Sequence, residues 1–190
     1  MNKRAIILGV LGIVALAQLA VPVSMIVGHE WVLARGEVFK FRTAPVDPYD
    51  AFRGRYVSLA VEPTEVVMDY DVALTEHRPA YVLLDCDRDG FVKFVGASEK
   101  RPQAGAYIKV EVGSHLRYGV YSVILPFDRY YMEESQAPAA EHAYREHSRG
   151  KTRDAYVTVR VLYGMAVLDE LYVDGKPVRE FLTERAKGGR

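Results

Sequence analysis

The sequence predicts a mainly β protein, antiparallel and barrel-like or sandwich-like with one short helix, that follows one N-terminal transmembrane helix. Two observations predict this architecture. An uncharged apolar run extends from Ala5 to Val27, and most of the remaining chain consists of short alternating segments separated by glycine and proline. One stretch rich in alanine, glutamate and histidine interrupts this series and supplies the single predicted helix.

The apolar run predicts a membrane anchor. It contains 23 residues, which as a helix span roughly 35 Å, whereas a bilayer core of about 30 Å requires only ~20 apolar residues. A cleaved signal peptide is the alternative, because Ala15-Leu16-Ala17 before Gln18 fits a cleavage site. The chain stays apolar from Leu19 to Val27, however, and this favours an anchor that is not cleaved.

The charges that flank the run predict its orientation. Lys3 and Arg4 precede it, and the positive end of a membrane helix stays in the cytoplasm. We therefore expect a cytoplasmic stub at residues 1–4, a transmembrane anchor at 5–27 and an extracytoplasmic β-rich domain at 28–190. The predicted location is the inner (cytoplasmic) membrane, crossed once, with the lipid bilayer as a partner.

Composition restricts what the domain can be. The 190 residues are 49% hydrophobic, enough for a core, and Lys+Arg 25 balance Asp+Glu 25. This excludes a disordered polar chain and gives no support for nucleic-acid binding. The single cysteine, Cys86, excludes an intrachain disulfide framework and a zinc site made of several cysteines.

Eight segments have the alternation or β-branched content of short strands. The helix is predicted from Ala139 to His147, because Pro138 suits a first helical turn. Turns are expected at Tyr163-Gly164 and Asp174-Gly175. The predicted strands are residues 38–42, 56–61, 81–84, 91–95, 107–112, 118–125, 155–162 and 165–173.

One stretch carries a resemblance to a known family. Gly36-Glu37-Val38 leads into Pro45-Val46-Asp47-Pro48-Tyr49-Asp50 and then Phe52-Arg53-Gly54-Arg55-Tyr56-Val57-Ser58-Leu59. With the preceding apolar segment, this resembles the GDYXXLXY family of bacterial membrane-anchored proteins. Arg55 stands where the family name has Asp, and Val61 stands where it has the final Tyr. The resemblance implies an envelope protein, often associated with multi-spanning membrane proteins, and implies no reaction.

The signature stretch has two interpretations. In the structural one, Asp47 and Asp50 cap a turn or pair with Arg53, and Gly54 permits a positive φ before a strand that begins at Tyr56. In the other, the loop is a binding site that presents arginine and tyrosine to a partner. The candidate binding residues are Asp47, Asp50, Arg53, Gly54 and Tyr56.

Two further segments carry part of a metal-site pattern, and neither is predicted to bind a metal. Asp85 to Gly90 matches the first half of a calcium loop, but the twelfth position is Gly96 where a bidentate Glu is required, so a hairpin turn is favoured. His142 and His147 are five residues apart and do not share a helical face, so a surface helix is favoured.

The sequence predicts no catalytic residue, no metal and no cofactor. We expect a non-catalytic accessory or scaffold subunit of a larger membrane protein. One alternative is a module that binds envelope glycan or a small ligand through tyrosines, which crowd at Tyr118, Tyr121, Tyr130 and Tyr131. The other is an anchored signal-peptidase-like hydrolase, which requires Ser58 to have a lysine partner, Lys40 or Lys93.

Overall fold

The computed structural model describes residues 3–44, 56–68, 74–149 and 153–188. Over these residues the chain forms three helices and twelve strands. The helices are α1 (Lys3–Arg35), α2 (Ala137–Ser148) and α3 (Val178–Gly188). The strands are β1 (Glu37–Ala44), β2 (Tyr56–Ser58), β3 (Ala60–Glu62), β4 (Glu65–Val67), β5 (Pro79–Cys86), β6 (Val92–Ser98), β7 (Tyr107–Arg117), β8 (Val120–Ile124), β9 (Arg129–Tyr131), β10 (Tyr156–Leu162), β11 (Met165–Val173) and β12 (Lys176–Pro177).

The strands form a nearly closed, barrel-like body. One five-stranded sheet has the order β12-β11-β10-β1-β3, a second has the order β4-β8-β7-β5-β6, and β2 pairs with β9. Single bridges between Lys40 and Phe91 and between Ile108 and Gly164 join the two large sheets. All strand pairs within the sheets are antiparallel, which confirms the predicted fold class.

The core follows from the period of two in the strand sequences. In β1, Phe39, Phe41 and Thr43 are buried, whereas the side chains between them are exposed. Phe41 is fully buried and meets Phe127 edge to face, with ring centroids 5.3 Å apart. Burial of such side chains contributes roughly 1.5–3 kcal/mol each and holds the two sheets together.

The structure corrects several predicted elements. The strand predicted at 56–61 is interrupted at Leu59, whose backbone N–H donates to the Asp128 carbonyl at 2.9 Å and not to a strand partner. The short strands β4, β9 and β12 and the helix α3 were not predicted. Two to three residues are too few to show a period. Helix α3 does carry a helical pattern, because Val178, Phe181 and Leu182 follow the i, i+3, i+4 spacing and pack against the core.

Helix α1 is longer than the predicted anchor and enters the body without a linker. It continues from Val27 to Arg35, so its 33 residues span about 50 Å. The segment Leu11–Arg35 of α1 is apolar and long enough to cross a membrane, and residues 11–27 are all exposed. Val32 packs into the body, and β1 begins after the single residue Gly36.

Candidate functional site

Most of the predicted binding loop lies outside the part of the chain that the structure describes. This applies to Asp47, Asp50, Arg53 and Gly54, so the structure places none of their side chains. Tyr56 is described and begins β2. The described part of the candidate site consists of the strands that carry the end of the signature and the strands and helix next to them.

The signature strands alternate as the sequence predicts. Val57, Leu59 and Val61 are buried in the core, while Tyr56 and Ser58 lie on the other face and are half-buried. The apolar positions of the signature are therefore core positions of the barrel. The face that carries Tyr56 and Ser58 is the one that can contact groups outside the core.

Tyr144 of α2 ties the signature strands to β1. Its hydroxyl donates to the Ala44 carbonyl at 2.8 Å and accepts from the Ala60 N–H at 3.3 Å. Ala44 and Ala60 are opposite each other in the β1–β3 ladder, so this hydroxyl lies at the base of the loop that carries the predicted binding residues. The side chain is fully buried, and burial raises the pKa of its phenol.

The polar face of the signature carries two tyrosines and an arginine, which we call the Tyr-Arg face (Tyr56, Arg129 and Tyr131). The Tyr56 and Tyr131 rings are 5.6 Å apart, and the Arg129 guanidinium lies 5.1 Å from the centre of the Tyr56 ring. Hydrogen bonding with Tyr131, and then the charge of Asp128, raise the pKa of Arg129. Tyr131 is 64% exposed, so this face can stack on a flat polar ligand.

Tyr130, next to Tyr131 in β9, points to the opposite side of that strand. Tyr130 is buried and its hydroxyl donates to the Glu170 carboxylate. Burial, followed by this hydrogen bond, raises the pKa of the Tyr130 phenol. The predicted tyrosine cluster is therefore divided: Tyr130 and Tyr131 lie on β9, whereas Tyr121 pairs within the β4–β8–β7 sheet.

A groove runs between the C-terminal part of α1 and the body, and we call it the α1–β11 groove. Its volume is about 420 Å³, and a smaller cleft of about 390 Å³ continues it toward Arg129 and Tyr131. The groove is lined by Ser24, Met25, Gly28, His29, Val32, Lys109, Pro126, Gly164, Met165, Ala166 and Val167. The two clefts share His29, Pro126, Ala166 and Val167.

The β10–β11 hairpin forms one wall of this groove. Gly36, at the C-terminal end of α1, lies against Arg160 and Val161, and both strands of the hairpin contact the helix. The predicted turn at Tyr163-Gly164 is confirmed, with φ values of 53° and 87°. Gly164 also allows close packing, since a Cβ there would lie 2.8 Å from the Tyr107 ring. The hairpin tip thus reaches the apolar part of α1.

The remaining candidate segments have structural contacts. Asp85 to Gly90 forms the predicted hairpin turn, in which Asp87 accepts from the Phe91 N–H at 2.9 Å and pairs with Arg42 at 2.6 Å. These contacts lower the pKa of Asp87, the Arg42 hydrogen bond most. In the described part of the chain, no group of three or more histidine, cysteine, aspartate or glutamate side chains is arranged to hold a metal ion.

The structure also bears on His147, predicted on a surface helix, and on Ser58, the serine of the hydrolase alternative. His147 is not a surface residue, because its ring is half-buried and its Nδ1 lies 2.8 Å from Asp154. Ser58 makes no hydrogen bond with Lys40 or Lys93 among the described residues. Lys93 pairs with Asp85 at 2.9 Å, and Lys40 lies over the Tyr156 ring.

Comparison with known proteins yields one family. No curated protein and no solved structure matches the chain. The family model of the GDYXXLXY protein matches residues 18–171, which include residues 18–35 of α1, the signature strands and all strands through most of β11. The chain therefore belongs to the GDYXXLXY protein family.

Proposed function

We propose that this protein is a single-pass, non-catalytic accessory or scaffold subunit of a larger, multi-spanning membrane protein. In this proposal α1 crosses the inner membrane with its N-terminus in the cytoplasm, and the β body lies on the outer side. The observation that carries the proposal is the continuity of α1 with β1. A helix that enters a sheet after one residue transmits its position and tilt to the whole body.

The side chains near the base of the body support this placement. Trp31, Tyr163 and Met165 are all about half or more exposed near the end of the apolar run, and tryptophan and tyrosine are enriched where a membrane meets water. The Arg35 guanidinium lies 4.0 Å from the centre of the Trp31 ring. A body seated on the bilayer surface would bring these groups to the headgroups.

The apolar surface of α1 supports a partner within the membrane. Leu11, Ile13, Leu16 and Leu19 are each more than 60% exposed. Lipid alone can cover such a helix, but a helix that only anchors a domain does not require a rigid joint to it. Fixed geometry between helix and body is useful when both contact the same larger protein.

The single cysteine provides a direct test of orientation. Cys86 is exposed at the end of β5, so a membrane-impermeant maleimide added to intact cells without an outer membrane should label it. The matched control is Cys86→Ser with Asn2→Cys, which should be labelled only after the membrane is permeabilised. The reverse order of labelling would overturn the proposed orientation.

Photo-crosslinking tests the partner. A crosslinking amino acid at Leu16, which is 70% exposed on α1, should give one protein adduct of defined mass that contains a multi-spanning protein. The same probe at the exposed Lys187 of α3 is the comparison. If the chain purifies alone in mild detergent and the Leu16 probe captures only lipid, the accessory role is wrong.

A further inference from the structure

We propose that the α1–β11 groove binds one anionic phospholipid from the bilayer. The phosphate lies beside Lys109, and an acyl chain follows the surface formed by Ser24, Met25 and Gly28. This inference rests on the proposed placement of α1 in a membrane. It does not require a partner protein, so the lipid inference and the proposed accessory role can fail separately.

The position of the groove favours an amphiphile. Its lining combines Ser24 and Met25, which belong to the apolar run, with Pro126 and Val167 of the body. A ligand that fills it must therefore extend from the hydrocarbon region to the headgroup region. Bilayer phospholipids extend over these two regions and are present at high local concentration.

The lining of the groove fits a lipid better than a free anion. Methionine, valine, proline and alanine side chains form most of its surface, and a small polar ion would leave them in contact with water. The volume of about 420 Å³ is within the roughly 300–1,000 Å³ range of small-molecule sites. The groove can hold part of a phospholipid, while the rest of the lipid stays in the bilayer.

Lys109 provides the charge that selects an anionic headgroup. Its backbone N–H donates to the Gly164 carbonyl at 2.9 Å. Its ammonium forms no ion pair with any carboxylate among the described residues. Asp128, in the adjoining cleft, is already 3.5 Å from Arg129. A lipid phosphate is thus the complementary group for an exposed lysine at this depth.

Two glycines of α1 allow a matched test. A Cβ at Gly28, in the groove, or at Gly12, outside it, would meet nothing within 4 Å. Gly28→Leu therefore adds bulk in the groove with no clash at its Cβ, and Gly12→Leu adds the same bulk elsewhere on the helix. Lys109→Glu removes the proposed charge contact, and the exposed Lys187→Glu is its control.

The full chain is reconstituted in nanodiscs of equal phosphatidylglycerol and phosphatidylcholine, extracted in mild detergent and examined by native mass spectrometry. We expect one retained phospholipid per chain, with phosphatidylglycerol preferred about fivefold. Gly28→Leu should lower retention about tenfold, and Gly12→Leu should not. Lys109→Glu should abolish the preference for phosphatidylglycerol, and Lys187→Glu should preserve it.

Three results would overturn the inference. One is equal retention by the two glycine variants, and another is equal retention of the two lipids by the unmodified chain. The third is protection of the groove by a co-purified protein with no lipid retained. If the chain is instead recovered in the aqueous fraction without detergent, the membrane placement fails, and the lipid inference fails with it.

Discussion

Replacing Tyr144 with alanine is expected to destabilise the protein by about 3–5 kcal/mol, the cost of deleting a large aromatic side chain from a core. Among the described residues Tyr144 is the largest fully buried side chain, and it connects α2 to the signature strands. Its removal leaves a cavity beneath the β1–β3 ladder and also deletes the hydroxyl that bonds Ala44 and Ala60. The free energy of unfolding, measured by urea titration in mild detergent, checks this value.

The contribution of the hydroxyl is measured separately by Tyr144→Phe. This change keeps the ring but leaves the part-buried Ala44 carbonyl and Ala60 N–H without their side-chain partner, and the loss of an ordinary hydrogen bond costs about 0.5–1.5 kcal/mol. Tyr163→Phe is the matched control, because Tyr163 is 72% exposed and exposed positions usually change stability by less than about 0.5 kcal/mol. If both phenylalanine variants are equally stable, the Tyr144 hydroxyl does not support the base of the signature loop.

The sequence could predict the strands but not this contact. Alternation at Val57, Leu59 and Val61 identifies a buried face whatever the neighbouring strands are, because the period is a local property. The role of Tyr144 depends instead on where α2 docks. Tyr144 is separated from Ala44 by 100 residues, and the composition of the helix, rich in alanine and glutamate, gives no indication of which strand its tyrosine meets.

The tyrosine clusters illustrate the same limit. Four tyrosines lie close together in the sequence and predict a single surface: Tyr118, Tyr121, Tyr130 and Tyr131. The strand order separates them, because β8 belongs to a five-stranded sheet whereas β9 pairs with β2 in a separate two-stranded sheet. The Tyr-Arg face is formed by β2 and β9, which are far apart in the chain, so neighbouring residues alone could not reveal it.

Gly36 is where a second large effect is expected, because no other residue fits the joint between α1 and β1. A Cβ there would lie 2.5 Å from the Val32 carbonyl oxygen and 3.0 Å from both the Arg160 Cβ and the Val161 nitrogen. The Gly36 N–H also donates to the Val32 carbonyl at 2.7 Å, which completes the last helical turn. Backbone on both sides prevents relief by a change of rotamer.

Gly36→Ala should therefore cost about 1–3 kcal/mol, as overpacking of a close contact does, and Gly36→Val should cost more. The strain is relieved only if α1 moves away from β10, so the helix should also tilt relative to the body. Spin labels at Cys86 and at Ser24→Cys report this as a shifted or broadened distance distribution. In the same measurement Gly28→Ala is the control, because its Cβ meets nothing within 4 Å.

The two readouts separate strain within the body from movement of the helix. A loss of stability with an unchanged distance distribution would mean that β10 yields and that α1 keeps its position. An altered distribution with little loss of stability would mean that the joint bends easily, which contradicts a scaffold that relies on fixed geometry. Only a loss of stability together with movement of α1 agrees with a joint in which the glycine sets how helix and sheet meet.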